Sequence, residues 1–253
     1  MRTTLIKIIG IALIILGKIE TGNSQSRLTN FEAGIQFGTF IYQGDLTPTR
    51  LGSFKTPGYQ INIFLSKILS NSISWRANLA IGKLKGDDSK YAYPEYRRQR
   101  NLNFRSPVFE FSGLLVYDVL GKNYDETKNS GLRPYLFGGA GLSFLHIKRD
   151  WSKVNLEYFG AASDLPARIA IDAQHSLPGL IPVIPVGIGM RYAISQKISV
   201  TVESSYRFTF TDYLDGFSIA ADPDKNDHYQ NYSAGLTWSF DRKNRLNCPV
   251  IKK

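Results

Sequence analysis

Three histidines, His146, His175 and His228, are the residues with which this chain could perform acid–base chemistry. Asp227 precedes His228 and Ser176 follows His175. A hydrolase or acyltransferase would need a histidine beside a hydroxyl nucleophile and a carboxylate. Serines are frequent here, so one histidine–serine neighbour pair carries little information, and the reading is of loop histidines and no enzyme. No Gly-rich phosphate loop leads into a helix, and no metal-ligand spacing stands out. Asp222, Asp224 and Asp227 could hold Ca²⁺, but a solvated acidic loop reads more simply. No cofactor is expected.

A second group has binding rather than catalytic character. In KYAYPEYRRQR, Tyr91, Tyr93 and Tyr96 interleave with Arg97, Arg98 and Arg100. Such a mixture stacks on nucleic-acid bases inside a cell. On an exported protein it could instead dock acidic sugars or a partner protein, because Tyr and Arg are favoured anchors. A third group is Glu32, Arg76, Glu110, Arg191, Glu203 and Arg207, each set among small or polar residues in an alternating segment.

The elements that carry these residues read as strands. Phe31–Tyr42, Gly58–Ser66, Ser72–Gly82, Pro107–Val119, Arg133–Ile147, Ile184–Ile194, Ile198–Phe210 and His228–Phe240 alternate with period two, one face greasy and the other polar. The Gly-rich fifth segment does not reveal its faces. Connections alternate between short turns, such as Ser195–Lys197, and long polar stretches. Those are residues 43–57, 83–104, 149–180 (with a possible short internal element) and 212–227.

An even strand count with alternating short and long connections predicts an all-β fold: an eight-stranded antiparallel up-and-down transmembrane β-barrel of the outer-membrane type. Residues 25–240 form the barrel. A soluble lipocalin-like barrel is the alternative. Its inner face would be the apolar core, where the six charges would be costly to bury. In a membrane barrel the same charges fill a narrow lumen. Trp75, Tyr192, Tyr206 and Trp238 then serve as interfacial girdle residues on the lipid side.

The address agrees. MRTTLIKIIGIALIILGKIETGNSQ has a positive start, an apolar run and small residues at Gly22 and Ser24. It predicts a secretory signal peptide over residues 1–24. The signal carries three cations against one anion, which leaves +8 of the +10 net charge on the exported chain. On an exported chain, the basic balance points to acidic envelope material or partners and not to nucleic acid, and a barrel of this type has outer-membrane lipid around it. Cys248 is the single cysteine, which excludes an intrachain disulfide. Both termini are expected on the periplasmic side. There the tail 241–253, with Arg242, Lys243, Arg245 and Cys248, offers a basic partner-binding surface.

Five stretches, taken in order, carry a family likeness: GTFIYQGDL, YRRQRNLNFRSPVFEF, RPYLFGGAGLSF, FTDYLDGFS and the terminal NCP. Together they resemble the PorG-like outer-membrane β-barrels of the type IX secretion system of Bacteroidota. The resemblance implies a non-enzymatic outer-membrane component associated with the periplasmic ring of that machine. The ring is built by a lipoprotein and its partner, the PorK and PorN types. The resemblance assigns no functional residue.

Overall fold

Alternation of apolar and polar residues forces each strand to present two unlike faces, and a closed sheet is the arrangement that leaves neither edge unpaired. The computed structural model describes residues 30–49, 52–121, 131–160, 162–195, 197–223 and 225–240. The expected signal segment 1–24 and the basic tail 241–253 lie outside them. Eight long strands form the wall: β1 (Phe31–Gln43), β2 (Gly58–Ile68), β3 (Ile73–Asp87), β4 (Asn103–Asp118), β5 (Leu132–Leu145), β7 (Leu180–Ala193), β8 (Ile198–Thr209) and β9 (His228–Ser239). Each pairs antiparallel with its chain neighbour, and β1 pairs with β9 from Glu32↔Ser239 to Gln43↔His228, which closes the barrel. The chain is thus a closed eight-stranded antiparallel β-barrel.

A ninth strand, β6 (Lys148–Asp150), is not part of the ring. It adds to the projecting end of β4 through Asn103↔Asp150 and Arg105↔Lys148. Among the described residues, three short α-helices sit in the long connections, α1 (Glu95–Arg100), α2 (Leu156–Phe159) and α3 (Leu165–Gln174), together with a 3-10 turn at Asp88–Lys90. No helix among the described residues is long and apolar enough to cross a membrane.

The outer wall is apolar and unshielded. Phe37, Leu115 and Ile188 are 58–60% exposed, and Ile63, Trp75, Phe111, Leu136, Leu236 and Trp238 belong to the same belt. A continuous band of this kind is far larger than the apolar patches tolerated on proteins in water. The inner face is polar over the same height, with Glu32, Gln36, Asn62, Arg76, Asn78 and Glu203 all buried. Greasy outside and polar inside is the inversion a lipid solvent requires, so the fold is an outer-membrane-type barrel. Trp75, Tyr117, Tyr192 and Trp238 ring the wall near the short-turn end, where both described chain ends emerge.

Several sequence expectations need adjustment. The stretch 83–104 is not one loop: β3 continues to Asp87 and β4 begins at Asn103, paired in register throughout. Lys83, Lys85 and Arg105 hid this continuation, because the outward face above the lipid zone is wet and no longer apolar. Likewise β7 begins at Leu180 rather than Ile184. In β5 the faces become clear, with Tyr135, Phe137 and Ser143 inward and Leu136, Leu142 and Phe144 outward. Its glycines permit close strand approach: a Cβ on Gly139 would stand 1.9 Å from the Gly113 carbonyl oxygen. Ile41 has the lipid-facing parity yet is fully buried, because the β1–β2 connection folds back over the wall at Gly52.

Candidate functional site

The lumen is built in two storeys. In the lower one the six alternating-strand charges form three Arg–Glu pairs, from the short-turn end upward. Arg191 Nη1 meets Glu32 at 3.0 Å, and Ser239 Oγ donates to the same carboxylate at 3.1 Å. Arg76 Nη1 meets Glu203 Oε1 at 2.6 Å, while Tyr135 Oη donates to Glu203 at 2.6 Å. The Arg76 guanidinium also lies 4.1 Å from the centre of the Phe64 ring. Arg207 Nε meets Glu110 at 3.2 Å, and Tyr229 Oη donates to Glu110 at 2.7 Å. All six charges are buried. Such pairs are net favourable only when geometry and extra hydrogen bonds offset desolvation. Here tyrosine and serine hydroxyls supply those bonds.

The upper storey is apolar. Phe40, Leu84, Phe104, Val108, Leu145, Ile181 and Val183 point inward from the wall and are covered by Leu214 and Phe217 from the connection 210–227. That connection therefore enters the barrel mouth as a lid. Leu165 and Ile169 of α3 pack against the same cluster from above.

Buried and half-buried polar groups fasten this lid. Asp172 of α3 accepts hydrogen bonds from the backbone N–H groups of Ser218 (3.2 Å), Ile219 (3.1 Å) and Ala220 (2.8 Å), and from Tyr213 Oη (3.2 Å). Arg149 donates to the carbonyls of Gly216 and Ala173. On the opposite side Arg100 of α1 binds Asp88 at 2.7 Å and donates to the carbonyls of Ala220 and Asp45. Burial pushes the Asp88 carboxyl up, while Arg100 and Arg97 pull it back.

An acidic cluster lies beneath the clasp. Tyr42 Oη is 2.6 Å from Asp227 Oδ1 and 2.7 Å from Asp215 Oδ2. One hydroxyl hydrogen can serve only one of these contacts, so the other needs a proton on a carboxyl. Burial, with each group's proximity to the other acidic residues, pushes Asp215 and Asp227 well above the usual carboxylate range. Burial also pushes Asp45 up to about 7, with Asp212 and Asp222 adding to it and the Asp222 N–H and Arg100 opposing it. Carboxylate oxygens of Asp45, Asp212 and Asp227 lie within 4.8 Å of one another, so protons or a divalent cation could neutralise them.

The sequence-level candidates separate accordingly. Of the Tyr–Arg stretch, Arg100 is buried and Arg97 partly so. Arg97 donates to the Asp45 carbonyl at 2.6 Å and pairs with Asp88 at 3.3 Å. These two are an internal clasp, which corrects their assignment as partner-binding residues. Tyr96 and Arg98 remain exposed. Arg242, Lys243, Arg245 and Cys248 fall outside the described residues, as does Asp224. Asp222 pairs with Lys225, and the structure groups Asp227 with Asp45 and Asp212 instead. Asp227 and His228 are adjacent but part ways. The carboxylate turns to Tyr42, while His228 Nδ1 accepts from the Thr209 N–H at 3.3 Å. His175 stacks on Tyr213, with ring centres 3.9 Å apart.

A family model described as a domain of unknown function, DUF6089, matches residues 9–241. The chain belongs to the DUF6089 family. No curated protein matches it in sequence. Among solved structures, this DUF6089 barrel is similar to Neisserial surface protein A, with 16% identity over 84% of this chain and 98% of that one, at a TM-score of 0.43. A major outer membrane protein from Thermus thermophilus matches with 9% identity over 83% and 99%, at a TM-score of 0.45. The attachment invasion locus protein Ail of Yersinia pestis, solved with the heparin analogue sucrose octasulfate, matches with 11% identity over 84% and 100%, at 0.43.

Sequence reasoning missed the lid and its anchors, Tyr42, Asp45, Asp172 and Asp215. One signal was present in β1. Its inward positions pass from Glu32 and Gln36 to Phe40 and Tyr42, and Ile41 between them is apolar too. A strand apolar on both faces must be covered on both.

Proposed function

We propose that this barrel is a non-enzymatic outer-membrane component of the type IX secretion machinery, anchoring or contacting its periplasmic ring of PorK- and PorN-type proteins. The observation that carries the non-transport part is the filled lumen: three ion pairs below and an apolar plug with a fastened lid above. A barrel so filled offers no path for a solute, so its working surfaces are the outer wall and the two rims. The likeness of the ordered stretches to PorG-like barrels supplies the choice of machine. In this reading both termini are periplasmic, and the tail with Arg242, Lys243, Arg245 and Cys248 faces the ring.

Cross-linking through Cys248 in intact cells, followed by purification from detergent-solubilised envelope, tests the reading. Ring subunits are expected in the cross-linked product. Recovery of the barrel without them, together with unchanged secretion in a deletion strain, refutes it. A second reading, a general envelope barrel binding an external ligand through its loops, is favoured by the exposed Tyr93, Tyr96 and Arg98 at the long-loop end. It requires normal secretion on deletion and altered surface binding instead.

A further inference from the structure

A groove of about 440 Å³ lies on the outside of the barrel at the long-loop end, bordered by Lys55, Lys83, Lys85, Lys90 and Arg105. Strand register makes the cluster unusual. Lys85 of β3 faces Arg105 of β4, and Arg105 faces Lys148 of β6, so three cations stand side by side across three neighbouring strands. Adjacent strands are about 4.8 Å apart, and like charges directly opposite one another destabilise a sheet. None of these six cations forms an ion pair among the described residues. Asp87, which also borders the groove, has its Oδ1 occupied by the backbone N–H and the hydroxyl of Ser89. Lys83 lies over the Tyr59 ring at 5.3 Å and Lys55 donates to the Lys90 carbonyl. With one carboxylate on its border and no ion pair among the described residues, the row carries an excess of positive charge that calls for a further anion.

The depth of the groove says where that anion comes from. Ile81 and Phe109 face each other on the lipid side, and both are exposed. Lys83 is the next outward residue on β3, and Lys85 with Arg105 the one after. At about 3.3 Å per residue and a tilt of about 40°, these stand roughly 5 and 10 Å beyond the last apolar pair. The headgroup layer of a bilayer leaflet begins at the edge of the hydrocarbon and is about 5–8 Å thick. The cations are therefore placed in that layer and at its outer boundary.

We propose that this groove binds a phosphate group of a membrane lipid, with Lys83, Lys85, Arg105 and Lys148 contacting the phosphate and the Ile81–Phe109 wall contacting its acyl chains. The inference needs only the membrane-spanning barrel and is independent of any role in secretion.

The full chain, reconstituted in phosphatidylcholine vesicles containing bis-phosphorylated lipid A, is compared with K83Q/K85Q/R105Q and with Lys67→Gln, a control on the outward face near the short-turn end. Lipid A retained after detergent purification is quantified by mass spectrometry. Each headgroup-depth cation contributes about fivefold to binding an anionic lipid, so the triple variant is expected to bind on the order of 100-fold more weakly, with Lys67→Gln unchanged. Lipid A stripped of its phosphates is expected to bind weakly and equally to all three proteins. Should the triple variant fail to show the heat-modifiable gel mobility of a folded barrel, Lys148→Gln, outside the ring, is expected to lose about fivefold on its own. Equal retention by wild type and the folded variants overturns the proposal, as does tight retention of the dephosphorylated lipid. Full competition by about 10 mM inorganic phosphate would reassign the site to free phosphate and overturns the lipid assignment.

Discussion

Acidification from pH 7.5 to pH 5.5 is expected to tighten the lid. Burial raises the Asp45 carboxyl from its ordinary 3.8 to about 7. Between those two values the closed lid holds a proton that an opened, solvated lid releases. Closing is thus most favourable at low pH, and its stability falls as pH rises from about 4 to about 7 and levels off above. For Asp45 alone, the change between pH 7.5 and 5.5 is about 2 kcal/mol, or roughly a 25-fold drop in the opening equilibrium. Asp215 and Asp227, raised for the same reason, add in the same direction. Hydrogen exchange reads this directly, because the N–H of Asp222 donates to Asp45 and those of Leu214 and Asp215 donate to Asp227. After division by the intrinsic exchange rate, and with EDTA present so that protons alone neutralise the cluster, protection of these amides is expected to rise on acidification. Asp45→Asn keeps an acceptor for the Asp222 N–H while removing the charge, so it is expected to flatten the Asp222 response and to protect that amide more at pH 7.5. Protection that is constant or falling on acidification, or a full response in Asp45→Asn, refutes the reasoning.

Other perturbations test the remaining parts of the fold. Arg76→Leu removes the arginine in direct contact with Glu203, leaving Tyr135 as a hydroxyl donor, and is expected to cost about 3–5 kcal/mol in urea unfolding from lipid vesicles followed by tryptophan fluorescence. Arg76→Leu/Glu203→Leu should recover most of that loss, and a double variant as unstable as the single one would show that the pair is not an isolated unit. Ile63→Lys places a charge on the middle of the lipid-facing wall and should cost about 2–4 kcal/mol in the same assay; a change within about 0.5 kcal/mol would contradict a lipid-facing wall. Asp172→Ala orphans three backbone donors and one tyrosine hydroxyl, so proteolysis within 213–220 should accelerate while the barrel's heat-modifiable mobility persists.

Strand periodicity carried most of the architecture. A period of two fixes which face each side chain occupies, and Glu32, Arg76, Glu110, Arg191, Glu203 and Arg207 all lie inside because their parity leaves no other place. The alternation of short and long connections likewise determined that neighbours in the chain pair in the sheet. Parity does not say which glutamate an arginine meets. Arg76 and Glu203 come from opposite sides of the lumen, and their pairing depends on barrel diameter and stagger, which belong to the closed sheet alone.

The upper half of the barrel was harder to see because its outward face changes solvent. Lys83, Lys85 and Arg105 break the apolar pattern where the wall leaves the hydrocarbon, so continuing strand looks like polar loop. Inward residues there turn apolar, and only the returning connection shows what covers them. The Tyr–Arg stretch illustrates the same limit. Composition marks Arg97, Arg98 and Arg100 as equivalent, yet one turn of α1 directs Arg100 into Asp88 and Ala220 and leaves Arg98 in solvent. The sequence by itself determined a barrel with charged contents. Tertiary structure decided that the barrel is plugged, because a lid forms only when distant carboxylates and backbone donors meet at its mouth.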